Sequence, residues 1–91
     1  MSVIVRVPTI LRNYTGGEAE VEANGENLEA VLHDLETRNP GILTRILDDS
    51  GKIRRFVNIY VNEEDVRFEQ GLATATPDGT QISILAAVAG G

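Results

Sequence analysis

Asn27-Leu28-Glu29-Ala30-Val31-Leu32-His33-Asp34-Leu35-Glu36-Thr37-Arg38 is the stretch on which the fold turns. Leu28, Val31, Leu32 and Leu35 recur at i, i+3, i+4 and i+7, the spacing that gathers apolar groups into one stripe of a helix. Asn27 suits the N-cap because its side-chain oxygen can accept a first-turn N–H. Glu26 and Glu29 sit at the positive end of the helix dipole and Arg38 at the negative end. Asn24-Gly25 breaks the chain before this segment, and Asn39-Pro40-Gly41 stops it. A second short helical turn is expected within residues 41–47, with Ile42, Ile46 and Leu47 inward.

On both sides of the helix the period changes from 3.6 to 2. Residues 3–7, Val-Ile-Val-Arg-Val, are β-branched apart from Arg6 and read as an opening strand that Pro8 stops or places at an edge. Thr15-Gly16-Gly17 is turn chemistry, and residues 18–23 alternate acids outward with small apolar groups inward, giving a hairpin. Beyond the helix, residues 56–62 alternate again, with Val57, Ile59 and Val61 on one face and Phe56, Asn58, Tyr60 and Asn62 on the other. Residues 65–68 suggest a short further strand, and Leu72 a plug under the following loop. Pro77-Asp78-Gly79 is a turn, and residues 80–87 form the last strand, Ile82 and Ile84 facing away from Ser83 and Leu85. A hairpin, one crossover helix and two or three more strands predict an α+β β-grasp. Its sheet is mixed, with four to five strands and one main helix on one face. The first and last strands should lie parallel at its centre.

Composition narrows the chemistry. The 91 residues suit one small core, read as a β-grasp domain over 1–87 and a tail over 88–91. No export signal or membrane-length apolar run is read, so the cytoplasm is the expected compartment and no membrane partner is expected. The absence of cysteine excludes disulfides, thiolate metal sites and thiol catalysis. Acids outnumber bases 14 to 8 for a net charge of −6, which repels phosphate backbones and argues against nucleic acid as a partner.

The side chains offer no catalytic constellation. His33 lies off the apolar stripe and reads as solvated. Glu63-Glu64-Asp65 lacks companions at metal-ligand spacing, so no metal site is assigned. Serine occurs only at positions 2, 50 and 83, none with a histidine close in sequence to act as base. No phosphate loop or nucleophile elbow occurs. The chain is therefore read as a non-enzyme with no catalytic residue.

What remains is Val88-Ala89-Gly90-Gly91. At a glycine frequency of about 7%, a terminal pair arises by chance in about 0.5% of chains, so a chemical use competes with a frayed end. A carboxylate becomes a good electrophile once it is adenylated with ATP. To be adenylated it must thread a partner's nucleotide site, which residues without Cβ atoms do best. Ordering such a tail costs roughly 1–2 kcal/mol per residue, so the folded body must supply docking energy. A chain without a thiol can still carry sulfur, as a terminal thiocarboxylate.

Over nearly its whole length the sequence resembles the ubiquitin-like sulfur carriers of the ThiS/MoaD group, most closely the actinobacterial CysO carriers of cysteine synthesis. The likeness rests on residues 7–12 (Val-Pro-Thr-Ile-Leu-Arg), 55–62 (Arg-Phe-Val-Asn-Ile-Tyr-Val-Asn), 64–68 (Glu-Asp-Val-Arg-Phe), 71–74 (Gly-Leu-Ala-Thr) and 87–91 (Ala-Val-Ala-Gly-Gly). Ala86-Ala87 departs from relatives that often carry proline there. The resemblance implies that Gly91 is adenylated by an E1-like, ATP-dependent enzyme of the MoeB/MoeZ kind and then converted to a thiocarboxylate with sulfur from a persulfide. It further implies a PLP-dependent cysteine synthase as acceptor and a JAMM-type zinc peptidase that frees the carrier. Those cofactors belong to the partners, so none is expected on this chain. Molybdopterin, thiamin or a sulfur-containing secondary metabolite are alternative destinations, and a protein modifier or a plain interaction module alternative roles.

Docking is expected on the sheet face opposite the helix, through Phe56, Tyr60 and Leu85 with Arg55 beside them, while Gly90, Ala89 and Val88 thread the partner. Alternatively Phe56 or Tyr60 packs under the loop at residues 69–76. Ile4 and Arg6 fall on the same face. Lys52, Arg54 and Arg55 form a basic knot that either steers toward an acidic partner or merely flanks a loop.

Overall fold

The computed structural model describes residues 2–86. Five strands form one sheet in the order β2-β1-β5-β3-β4. Strands β1 (Ser2–Arg6) and β2 (Glu20–Asn24) pair antiparallel, with Val3 opposite Ala23 and Val5 opposite Val21. Strand β5 (Gln81–Ala86) runs parallel to β1, with Val5 opposite Ile82. On its other side β5 pairs antiparallel with β3 (Val57–Val61), with Ile84 opposite Ile59, and β4 (Glu64–Asp65) closes the sheet against β3. The first and last strands are thus central and parallel, as the order of elements predicts.

Alternation explains which face is dry. Val3, Val5, Ile59, Ile82 and Ile84 are at most 1% exposed. They share one core with Leu28, Val31, Leu32 and Leu35 of helix α1 (Leu28–Arg38). Each such side chain contributes about 1.5–3 kcal/mol by leaving water. The N-cap is as predicted: the Ala30 N–H donates to Asn27 Oδ1 at 2.9 Å. The short helix α2 (Leu43–Ile46) follows Pro40-Gly41, with Ile42, Ile46 and Leu47 buried as expected. The Glu36 carboxylate ties the two helices, accepting the N–H groups of Gly41 (3.0 Å) and Leu43 (2.9 Å). The Gly41 N–H, then that of Leu43, hold its pKa below the ordinary carboxylate value.

The turn read at Thr15-Gly16-Gly17 is present, with Gly16 at φ 65° and Gly17 at φ 87°, and a 3₁₀ helix that the pattern does not predict, Thr9–Thr15, precedes it. Two strand readings are corrected. The strand read over residues 18–23 begins only at Glu20, and Ala19 is exposed. Residues 15–18 are held in the turn by the Gly17 N–H donating to the Arg12 carbonyl at 2.7 Å, the Glu18 N–H to the Thr15 carbonyl at 3.2 Å, and the Thr15 hydroxyl, 2.8 Å from the Glu18 carbonyl and 3.1 Å from that of Arg12. The strand read over residues 65–68 stops at Asp65, whose side chain accepts the Arg67 N–H at 2.9 Å and starts a 3₁₀ turn, Val66–Phe68. The β3–β4 hairpin turns on Asn62 (φ 49°) and Glu63 (φ 74°), two left-handed residues of which neither is glycine. Leu72 is half-buried against the core, as a plug should be.

Candidate functional site

The site is organised by the exit of β5. Ile82 and Ile84 fix this strand in the core, while Leu85, turned to the open face, is 51% exposed. Ala86 lies opposite Val57 at the end of the described strand. Ala87 and the four residues assigned to activation and threading (Val88, Ala89, Gly90 and Gly91) lie outside the described residues.

Beside this exit opens a groove of about 520 Å³, lined by Ile10, Leu11, Asn13, Tyr14, Arg45, Arg54, Phe56, Val57 and Ala86. The Thr9–Thr15 helix supplies one wall, with Ile10 54% exposed while its neighbour Leu11 is buried. The residues after α1 supply the other. Arg45 Nε donates to the Tyr14 hydroxyl at 2.8 Å, and Arg54 Nε to the Thr44 carbonyl at 2.8 Å, so both guanidiniums are oriented rather than loose. A smaller hollow of about 280 Å³, lined by residues including Arg6, Arg12, Ser83 and Leu85, flanks the other side of β5.

The four residues read as a docking surface fall into two groups. Phe56 and Arg55 belong to the turn leading into β3; Phe56 is 48% exposed, and the Arg55 guanidinium stands 6.0 Å from its ring centre. Leu85 and Tyr60 belong to the open sheet face, Leu85 opposite Asn58 and the half-buried Tyr60 opposite Ser83. Ile4 and Arg6 share that face, Arg6 approaching Glu20 across the β1–β2 ladder at 3.6 Å.

The open face is braced at its β4 edge. Arg67 Nη2 lies 2.9 Å from Asp65 and 2.6 Å from the Asn58 side-chain oxygen. The Arg67 side chain is the main cause holding the Asp65 carboxyl below its ordinary pKa, and Asp65 in turn raises that of Arg67. Asp65 is therefore committed to an ion pair within the fold. His33 is exposed on the outer side of α1. Among the described residues no three acidic or histidine side chains come together as a metal site, and no helix is long and apolar enough to cross a membrane.

Tyr14 and Arg45 are groove residues that no periodicity or motif singles out, and Ile10, though inside the 7–12 motif, carries no sign there of a role in a groove. Their meeting depends on the Thr9–Thr15 helix and on a hydrogen bond spanning 31 residues of sequence. Among the groove residues Phe56 stands out by alternation and Arg54 as one of a concentration of bases in an acidic chain.

Comparison with known proteins extends this geometry. A model described as the ThiS family matches residues 5–91. The sulfur carrier protein CysO of Mycobacterium tuberculosis is 58% identical over 93 residues, covering 100% of both chains. Its crystal structure superposes with a TM-score of 0.90 at 57% identity, covering 94% of this chain and 99% of that one. A chain of the Amycolatopsis orientalis BexX/CysO complex superposes with a TM-score of 0.91 at 49% identity, over 98% of this chain and 99% of that one.

Proposed function

The chain belongs to the ThiS family, and we propose that it acts as a sulfur carrier whose cargo is a thiocarboxylate at Gly91. A Gly91 carboxylate oxygen attacks the α-phosphorus of ATP, pyrophosphate leaves, and the acyl carbon becomes an adenylate. A persulfide sulfur then attacks that carbon, AMP leaves, and a thiol cleaves the sulfur–sulfur bond to free the thiocarboxylate. An E1-like enzyme of the MoeB/MoeZ kind performs the activation. The observation that carries this reading is the full-length likeness to CysO at 58% identity, together with a central strand that leads toward the tail at a cleft edged by Phe56 and Ile10.

The same likeness supports cysteine biosynthesis in the cytoplasm as the destination. A PLP-dependent synthase takes the sulfur, and a JAMM-type zinc peptidase regenerates the carrier. This chain is the substrate of those enzymes and not a catalyst. Val88, Ala89 and Gly90 thread the partner's channel, while Phe56, Tyr60, Leu85 and Arg55 provide the grip, apolar contact area being what anchors an interface.

The test is the intact mass after incubation with ATP, a MoeB/MoeZ-type enzyme and a sulfide source. One oxygen should exchange for sulfur. An unchanged mass alongside an enzyme that loads its own carrier removes the reading.

A further inference from the structure

We infer that the groove beside the β5 exit is the docking site for an acidic, apolar-tipped segment of the activating enzyme, held by Arg45 and Arg54 around an apolar wall of Ile10 and Phe56. This deepens the sulfur-carrier reading and rests on it. The chain has eight basic residues and a net charge of −6. Arg6, Arg38 and Arg67 pair with Glu20, Asp34 and Asp65. Among the described residues no carboxylate approaches the other five within ion-pair distance; Arg12 Nε donates to the Val7 carbonyl, and Arg45, Lys52, Arg54 and Arg55 all fall between residues 45 and 55.

Arg54 exerts only a longer-range pull on Asp48, the smallest of the causes that lower that carboxyl. Asp48 itself is satisfied by Ser50 and the Lys52 N–H. Two of these bases, Arg45 and Arg54, line the groove, and Arg55 stands beside its Phe56 wall, so positive charge gathers there on an otherwise acidic molecule and steers a negatively charged partner. Ile10 and Phe56, about half exposed on the same rim, add apolar area to be covered. Ala86 lines the groove, so a segment seated there lies at the root of the tail that the enzyme must draw in.

The test compares two double variants that each lower the net charge by two. Arg45→Gln/Arg54→Gln strips the groove; His33→Glu/Thr37→Glu adds the same charge on the exposed side of α1. ATP-dependent pyrophosphate release by the activating enzyme is followed against carrier concentration. At low salt the groove variant should raise KM about tenfold with kcat unchanged. The gap should close near about 0.5 M salt, and the helix variant should change KM less than twofold.

Equal KM values for the groove variant and the parent chain overturn the inference, as do equal shifts in both variants, which would reflect net charge alone. Failure of the parent chain to be adenylated at all overturns the sulfur-carrier reading and this inference with it. Amide shifts at Ile10, Tyr14 and Arg45 on deleting residues 87–91 would give the groove to the chain's own end instead, and overturn the assignment to a partner.

Discussion

Gly25→Ala should be among the most damaging single-methyl additions in this chain, and the structure says why. A Cβ built on Gly25 lies 2.5 Å from the backbone nitrogen of Val31, 2.8 Å from the Ala30 carbonyl carbon and 2.9 Å from Val31 Cγ2. Two of those three atoms are helix backbone and cannot rotate away. To make room the β2–α1 loop must lift from the helix, pulling on the Asn27 cap (2.9 Å) and on the 2.9 Å bond from the Thr76 hydroxyl to the Gly25 carbonyl. Overpacking and a weakened cap together cost about 2–4 kcal/mol. For a domain this small that lowers Tm by about 10–25 °C. Gly51→Ala serves as the comparison, because Gly51 (φ 82°) has open space around it and suffers backbone strain alone, about 1–2 kcal/mol. Asparagine tolerates left-handed backbone, so Gly51→Asn should be milder than Gly51→Ala, whereas Gly25→Asn should be at least as harmful as Gly25→Ala. Urea denaturation followed by circular dichroism measures all four. A Gly25→Ala chain within 0.5 kcal/mol of the parent, or a Gly25→Asn chain more stable than Gly25→Ala, would refute the steric argument.

Other substitutions probe separate parts of the molecule. One residue appended after Gly91 should abolish sulfur loading in the mass assay while Tm stays within a degree or two, because the addition lies beyond the core; normal loading would contradict the terminal chemistry. Glu36→Gln should flatten the acid limb of the stability curve. The folded pKa of Glu36 is depressed by the Gly41 and Leu43 N–H groups, so its contribution is present above the unfolded value of about 4.3 and lost as pH falls through the lower folded value. Asp48 and Asp65 are lowered too and keep part of that limb; an identical pH profile for Glu36→Gln would count against its role. Glu63→Gly should stabilise the chain by about 1 kcal/mol, since Glu63 occupies φ 74° in a tight hairpin, and a lower Tm would show that its side chain matters more than its backbone.

The elements that could be read from sequence are those whose signal is local and periodic. Leu28, Val31, Leu32 and Leu35 give α1 its buried stripe, and Val57, Ile59 and Val61 give β3 its dry face, whatever the rest of the chain does. The 3₁₀ helix at Thr9–Thr15 escaped because short 3₁₀ segments impose no repeating pattern. Ala19 keeps one strand-like bond, its carbonyl accepting the Val7 N–H at 2.8 Å, yet its side chain is exposed at the end of an edge strand, which alternation alone does not reveal. Of the groove, Arg54 shows in the sequence as part of a basic knot, Phe56 and Val57 through the alternation of residues 56–62, and Ile10 and Leu11 only inside the 7–12 motif. Tyr14 and Arg45 become neighbours through the tertiary fold, and Ile10 differs from Leu11 only in the direction it faces.

The position of β5 between β1 and β3 has a mechanical consequence. A pull on the C-terminal side of Ala86, opposed by a grip on the strands alongside, runs along both flanking ladders at once. The hydrogen bonds are then strained together in shear and do not open one after another like a zipper. An edge strand in this place could be peeled away; a central one spreads any force applied beyond Ala86 over the whole sheet.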